Sequence, residues 1–476
     1  MDQRFRIFSD YTGRWISIIV FILVIAMPMI GHIGGYFDQA YISTTEKRVP
    51  SVWPDNSLIR SDFKKYASSV ESYLNDHFGF RERLVRLNSL IRLKFGISSS
   101  DKVTIGKDGW LFYSAENILG EYRGTQNFSE DDMDSWMEAE TSRHKWLAER
   151  NIFYTVAFFP EKSSVYPEYL PDWAKKRVAP SRIEQITPRL EDSGICFVDV
   201  TPSVIDAKKT DPVFYKTDSH WNFHGGFAGY TALMQTLKKH FPELKPLTRD
   251  DLELGYKESN NQDLTQILNL TGYLRDSNAD SCILKKPSHV ISIESLNKDD
   301  ALPVVVKTDL GNAPRVLIMR DSFMDLLMPY INETFNEILY LPHGDHSFNE
   351  ELISKFKPDI VISAMVERGL KYPSHGPAPV DTPYIIEWGP KEIVSGETFY
   401  LRNEGQPAVW VKSKNINQTT VIIWDGVELK TDRDLANGVV AASIPEHLIQ
   451  HKGTLKLAIK NNDNGKISRE FKVKVN

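Results

Sequence analysis

Hydrophobic and polar positions change their period several times along this chain, and each change marks a different kind of element. Between Trp15 and Phe37 no formally charged side chain occurs, and Ile16 to Ile30 is nearly all apolar. At ~1.5 Å of rise per residue, those 23 positions span a hydrocarbon core of about 30 Å. Arg4, Arg6 and Arg14 precede the run, which predicts a cytoplasmic tail over 1–14 and a membrane anchor over 15–37. The run is long for a secretory signal, and no clear small-x-small cleavage site follows it, so the anchor is expected to stay uncleaved. From 38 to 100 the period becomes helical. Phe63, Tyr66, Val70, Leu74 and Phe78 recur, then Leu84, Leu87, Ile91 and Phe95, with Asn75 to Phe80 between them and Gly96 at the end. That is a helical hairpin near the membrane, in which His77 reads as packing.

From 101 to 372 strand and helix patterns alternate. Val103 to Tyr113 reads as two short strands around Lys107-Asp108-Gly109. A helix over 129–150 opens on Glu130, Asp131 and Asp132, which suit the positive end of its dipole. Ile152 to Phe159 is a continuous apolar run, the mark of a buried parallel strand. Further strands are expected at 195–200, 315–319, 338–341 and 359–363, and helices at 181–191, 223–240 and 322–330. The alternation predicts a doubly wound α/β domain with a parallel sheet, interrupted over 245–312 by an insertion of loops and short strands. After the Pro/Gly-rich segment 373–379 the pattern shortens. Tyr384 to Val475 holds seven or so β runs with turns at Asp425-Gly426, Asn437-Gly438 and Asn464-Gly465, which predicts an immunoglobulin-like β-sandwich over 380–476.

Composition changes this picture little. A net charge of −6 without a basic stripe argues against a nucleic-acid partner. The two cysteines, Cys196 and Cys282, form no CxxC motif, so neither a structural zinc site nor another metal or cofactor site is expected. Outside the cytosol they could pair with each other or stand as separate thiols.

The chemistry concentrates in Thr217-Asp218-Ser219-His220-Trp221-Asn222 and, later, in Arg320-Asp321-Ser322-Phe323. A serine hydroxyl becomes a useful nucleophile when a base takes its proton, and the base works best when a carboxylate fixes its tautomer. Asp218, His220 and Ser322 supply those parts in chain order, each at a loop-to-helix or strand-to-helix turn. Each also has a plainer reading: Asp218 and Asp321-Ser322 are favoured helix caps, and His220 alone is an ordinary loop histidine. Asp218, His220 and His224 make an incomplete metal-ligand set. His343 and His346, at the end of the next expected strand, are a rival base pair, and otherwise stand behind the site or face substrate. Trp110, Tyr113 and Trp221 are candidate platforms for sugar rings, with core packing as the alternative.

Five segments in order carry a family resemblance: Lys107 to Tyr113, Pro160 to Pro171, Thr217 to Asn222, Arg320 to Phe323 and Lys357 to Ser363. The set resembles the alginate O-acetyltransferase family (AlgJ/AlgX-like), a branch of the SGNH-hydrolase-like superfamily. The resemblance implies a triad at Asp218, His220 and Ser322. It also implies acetylation of an extracytoplasmic polysaccharide, an exopolysaccharide or capsule, with acetyl groups delivered by a polytopic membrane acyltransferase. The expected location is the cytoplasmic (inner) membrane, with the bulk of the chain in the periplasm and a glycan-contacting β-domain behind the catalytic one. Two departures stand out. Arg320 occupies the place of the superfamily's usual glycine, where it would crowd the site or bind an anionic sugar, and the usual oxyanion glycine and asparagine have no match. The same residues would also serve a carbohydrate acetylesterase. A chain disabled by Arg320 would be a glycan-binding or assembly protein of an export machinery.

Overall fold

The computed structural model describes residues 2–36, 42, 49–259, 262–276, 279–296, 303–342, 348–372, 382–394, 407–450 and 452–475. Its first helix, Asp2–Ile33, contains the segment Arg14–Ile33, which at a mean hydropathy of 2.6 is long and apolar enough to cross a membrane. Ile16, Phe21 and Ile25 on it are exposed, as lipid-facing side chains would be. The expected hairpin follows as helices Phe63–Asp76 and Arg81–Lys94. Asp62 caps the first by accepting the Lys65 N–H at 2.9 Å. Gly79 lies in the break because a Cβ there would sit 2.6 Å from Gly31 Cα and 2.3 Å from the Pro28 carbonyl oxygen. His77 is buried, with its ring stacked on Tyr73 at 3.9 Å, in keeping with packing.

A seven-stranded sheet forms the centre of the first compact unit. Its strands are β1 (Phe153–Phe159), β2 (Cys196–Asp199), β3 (Val290–Ser295), β4 (Val304–Thr308), β5 (Arg315–Arg320), β6 (Glu337–Pro342) and β7 (Ile360–Val366). Across the sheet they run β2-β1-β7-β5-β6-β4-β3. Strands β5 and β7 are almost continuously buried, because an apolar run covered on both faces leaves no side for water. Pairs β1/β2, β5/β6 and β5/β7 are parallel, as expected. The sheet as a whole is mixed, however: β4 joins β6 antiparallel, and β3 joins β4 antiparallel. Both come from the stretch expected to be an insertion. Only one face of β3 is even partly covered, so its sequence lacks the apolar run of a central strand.

The rest of that stretch is a two-stranded ladder, Leu252–Tyr256 with Ala279–Leu284, and a short helix, Asp263–Ile267. Leu264, Leu268 and Leu270 are buried with Val103 and Leu111 of the N-terminal strand pair, which pins this helix to the domain. The expected helix over 322–330 is broken into a 3-10 turn, Ser322–Leu326, and one α turn, Met328–Ile331. Pro329 is the reason: it has no N–H to donate back to Asp325, so the first coil cannot continue through it.

The second compact unit gathers residues 130–153, 345–357 and 372–476. It has a four-stranded sheet (Tyr384–Gly389, Ala408–Lys414, Val439–Ser443, Thr431–Asp434) and a five-stranded one. Val409, Val411, Ile422, Trp424, Val440, Leu457, Ile459 and Val473 fill one core from both sheets. The helix Glu130–Ala148 belongs with this unit, tied by Arg469 to Glu138 at 2.6 Å and by Lys472 to Asp131 at 2.7 Å. Residues 395–406, within the stretch expected to hold β runs, lie outside the described residues.

Candidate active site

Ser322 sits just past the carboxyl end of β5, the usual place for a ligand site in an open α/β sheet. The residue before it holds it there. Asp321 is half-buried at the turn, and its Oδ1 accepts the Phe323 N–H at 2.9 Å while Oδ2 accepts the Val366 N–H, at the end of β7, at 2.7 Å. Burial raises the Asp321 carboxyl above its ordinary value, against these hydrogen bonds and the nearby Arg368 and His220.

The second part of the site is the loop before the helix Phe223–Lys238. Asn222 caps that helix, its Oδ1 accepting the N–H groups of His224 at 3.0 Å and Gly225 at 3.1 Å. Position 225 must be glycine, since a Cβ would lie 2.2 Å from the Val213 carbonyl oxygen. Lys162, fully enclosed, donates to the carbonyls of Leu111 at 2.8 Å and Lys216 at 3.2 Å. Burial lowers its ammonium to about 8, although Asp218, Asp263, Asp276 and Glu161 oppose that. Asp276 Oδ2 accepts the Thr217 N–H at 3.1 Å. Trp221 helps join this loop to the serine turn: its Nε1 donates to the Phe323 carbonyl at 2.9 Å.

With both parts in place, His220 Nε2 lies 2.8 Å from Ser322 Oγ, and His220 Nδ1 lies 2.7 Å from Asp218 Oδ1. A carboxylate only accepts, so Nδ1 carries the proton and Nε2 offers its lone pair to the serine hydroxyl. Burial alone would raise Asp218, but the hydrogen bond and charge of His220, with the N–H groups of Asp263 and His220, hold it down at about 2. Burial would lower His220. The Asp218 hydrogen bond and the charges of Asp218 and Asp263 outweigh that and raise it above 6.5, with Arg368 opposing. The side chains of His220 and Asp218 are 23% and 13% exposed, and Ser322 is open to solvent. This geometry can make a serine nucleophilic. Of the two backbone N–H groups at the serine turn, those of Ser322 and Phe323, Phe323's is already taken by Asp321. Ser322's own meets no acceptor among the described residues.

The aromatic expectations fare differently. Trp221 is fully buried between Phe159 and Phe323, and Trp110 is 4% exposed and stacked on Tyr169 at 4.8 Å. Neither has a free face for a sugar; both are core residues. Tyr113 is half-buried, with the Arg368 guanidinium 5.5 Å over its ring. The same guanidinium lies 5.4 Å over Phe323 and pairs with Glu161 at 2.5 Å. Arg320 pairs with Asp325 at 2.5 Å, and its side chain is 12% exposed. His343 and His346 lie outside the described residues. His224 faces Asp211 at 3.5 Å and stacks on Tyr256, away from the supposed metal set. Asp263 instead joins Asp218 and His220 in a cluster whose ligand atoms lie within 4.8 Å of one another. All four carboxylate oxygens of that cluster accept hydrogen bonds from the protein itself. Cys196 and Cys282 are free thiols.

Known proteins resemble part of this chain. The family model described as "SGNH hydrolase-like domain, acetyltransferase AlgX" matches residues 103–306, a span that includes Asp218 and His220 and stops short of Ser322. The probable alginate O-acetylase AlgJ of Pseudomonas aeruginosa is 26% identical over 158 residues, 33% of this chain and 39% of the relative. Its counterpart in Pseudomonas syringae pv. tomato is 23% identical over 157 residues, again 33% and 39%. The chain thus spans about two fifths of the curated relatives it matches. Among solved structures, Bacillus cereus PatB1 is similar at a TM-score of 0.42 and 16% identity, over 55% of this chain and 95% of that one. The O-acetyltransferase domain of Pseudomonas putida AlgJ is similar at 0.39 and 18%, over 57% and 93%. Over residues 103–306, then, the chain is similar to the SGNH hydrolase-like domain of acetyltransferase AlgX, and over a third of its length to the probable alginate O-acetylases AlgJ.

Proposed function

We propose that this chain is a membrane-anchored O-acetyltransferase that moves acetyl groups, through an acyl-serine, onto hydroxyls of an extracytoplasmic polysaccharide. The observation that carries the reading is the relay itself, with Ser322 Oγ 2.8 Å from His220 Nε2 and Asp218 2.7 Å behind the ring. His220 takes the Ser322 proton as Oγ attacks the acetyl carbonyl of the donor. The tetrahedral oxyanion turns to the Ser322 N–H, the donor's leaving oxygen departs with the proton from His220, and acetyl-Ser322 remains. A sugar hydroxyl then gives its proton to His220, attacks the ester and leaves as the acetylated glycan, restoring the serine. Positioning is worth effective molarities of roughly 10⁵ M and more, enough for a held hydroxyl to outrun water.

In this reading the helix through Arg14–Ile33 is a single-pass anchor in the cytoplasmic membrane and both compact units lie in the periplasm. A membrane acyltransferase supplies the acetyl group. The C-terminal β unit is an immunoglobulin-like sandwich that contacts glycan, and Tyr113 and Arg320 remain candidates on the substrate side. The names of the AlgJ relatives and of the matched family support the reaction class. The test uses the full chain in detergent with an acetyl-nitrophenyl ester and candidate oligosaccharides. Mass spectrometry is expected to find acetyl on Ser322, lost in Ser322→Ala, and then on the glycan. Acetate release alone, whatever the acceptor, would replace the transferase with an esterase, and an unacylated Ser322 would remove the enzyme.

A further inference from the structure

Asp263 is a second carboxylate at the base, and it comes from the segment whose sequence is least regular. Its backbone N–H donates to Asp218 Oδ2 at 3.0 Å, on the oxygen that His220 does not use. Its Oδ1 accepts the Ser219 N–H at 2.7 Å, and its Oδ2 accepts the Ser219 hydroxyl. Ser219 lies between Asp218 and His220, so these contacts grip the motif at its middle residue. Oδ2 also stands 3.8 Å from His220 Nδ1. Behind Asp263, Leu264 and Leu268 are buried against Val103 and Leu111, so the grip is anchored in apolar packing. The charged groups that act on the imidazole are Asp218, Asp263, Asp321 and Arg368, and Lys162 acts in turn on the first two aspartates.

We propose that Asp263 is a positioning residue for acyl transfer, one that locks the Asp218–His220 loop in register and sets a second negative charge against the imidazole. This rests on the acyl-serine reading. Two anions beside one imidazole favour its protonated form, so Asp263 strengthens the base and moves its protonation to higher pH. Burial and the Asp218 charge hold the Asp263 carboxyl itself above its usual value, against the Ser219 hydrogen bonds. Asp263→Asn keeps an oxygen for the Ser219 N–H and removes the charge.

The experiment follows acyl-Ser322 formation by the full chain from phenyl acetate across pH, for wild type, Asp263→Asn, Asp263→Glu, Asp263→Ala and Ser322→Ala. The acid limb is expected to move down by about one pH unit in Asp263→Asn and to return toward wild type in Asp263→Glu. Asp263→Ala is expected to lose about 10–100-fold in kcat with KM for the donor nearly unchanged, since it frees the loop without touching substrate. Should Asp263→Ala not fold, the Asn and Glu variants decide alone. An Asn variant with the wild-type limb and rate, beside an inactive Ser322→Ala, overturns the role of Asp263 and leaves the acyl-serine intact. Acylation that survives Ser322→Ala overturns both.

Discussion

Replacing Trp221 with Phe separates a core residue from a sugar platform. In the fold the indole joins the residue after His220 to the residue after Ser322, through its 2.9 Å hydrogen bond to the Phe323 carbonyl. The variant loses that bond and leaves a buried carbonyl without its donor, which costs about 1–3 kcal/mol. The smaller ring also leaves a void of a few tens of Å³, worth about 1 kcal/mol at ~24 cal/mol per Å³. A total of roughly 2–4 kcal/mol corresponds to a fall in Tm of roughly 3–6 °C for a unit of this size, at about 2.1 cal/mol/K of unfolding entropy per residue. With the bridge gone, His220 and Ser322 no longer share a fixed spacing, and a displacement of about 1 Å costs up to ~100-fold in rate. The assay pairs thermal unfolding of the full chain with acyl-Ser322 formation and with KM for an oligosaccharide acceptor. We expect Tm and the acylation rate to fall together while acceptor KM stays within about twofold. An unchanged Tm and acylation rate with a raised acceptor KM would refute this account and return Trp221 to the substrate.

Two further outcomes follow from the site and its scaffold. Because His220 is held above 6.5 and must be neutral to act, the rate should rise with pH through a limb above 6.5, while Asp218 at about 2 stays ionised throughout. The signs for stability run the other way. His220, raised by folding, stabilises at pH below its unfolded value and ceases to as pH rises through its folded one. Asp218, lowered by folding, stabilises above about 4 and ceases to as pH falls toward 2. The Tm difference between wild type and His220→Gln should therefore peak between those limits and shrink as activity appears; a difference flat from pH 4 to 9 would contradict it. In the helix cap, Gly225→Ala should lower Tm by several degrees, because its Cβ would meet the Val213 carbonyl at 2.2 Å. An alanine variant as stable and active as wild type would show that the loop can give way there.

Much of this was readable before the coordinates. Continuous apolar runs such as Phe153–Phe159 report burial on two faces, and a carboxylate two residues from a histidine is a local pattern. The gaps have physical causes. Asp263 lies in a polar stretch whose role depends on contacts 44 and 45 residues away, which no local period records. Strand β3 is half-polar because it lies at the edge of the sheet, and the turn after Ser322 was broken by Pro329 inside an otherwise helical pattern. For Trp110 and Trp221 both substrate and core stand open in the sequence, because a tryptophan beside a motif looks the same there whether it faces a ligand or the core. Arg368 gave no signal: its neighbours Phe323 and Tyr113 are distant in the chain.

The open position of Ser322 shapes how such an enzyme would fail. A nucleophile at the rim admits a bulky polymer, and it leaves its ester equally reachable by solvent between turnovers. Selectivity for a sugar over water would then reside in acceptor occupancy, since nothing around the serine shuts solvent out among the described residues. Starved of glycan, the chain should leak acetate at a steady rate, and the split between leak and transfer should track acceptor concentration.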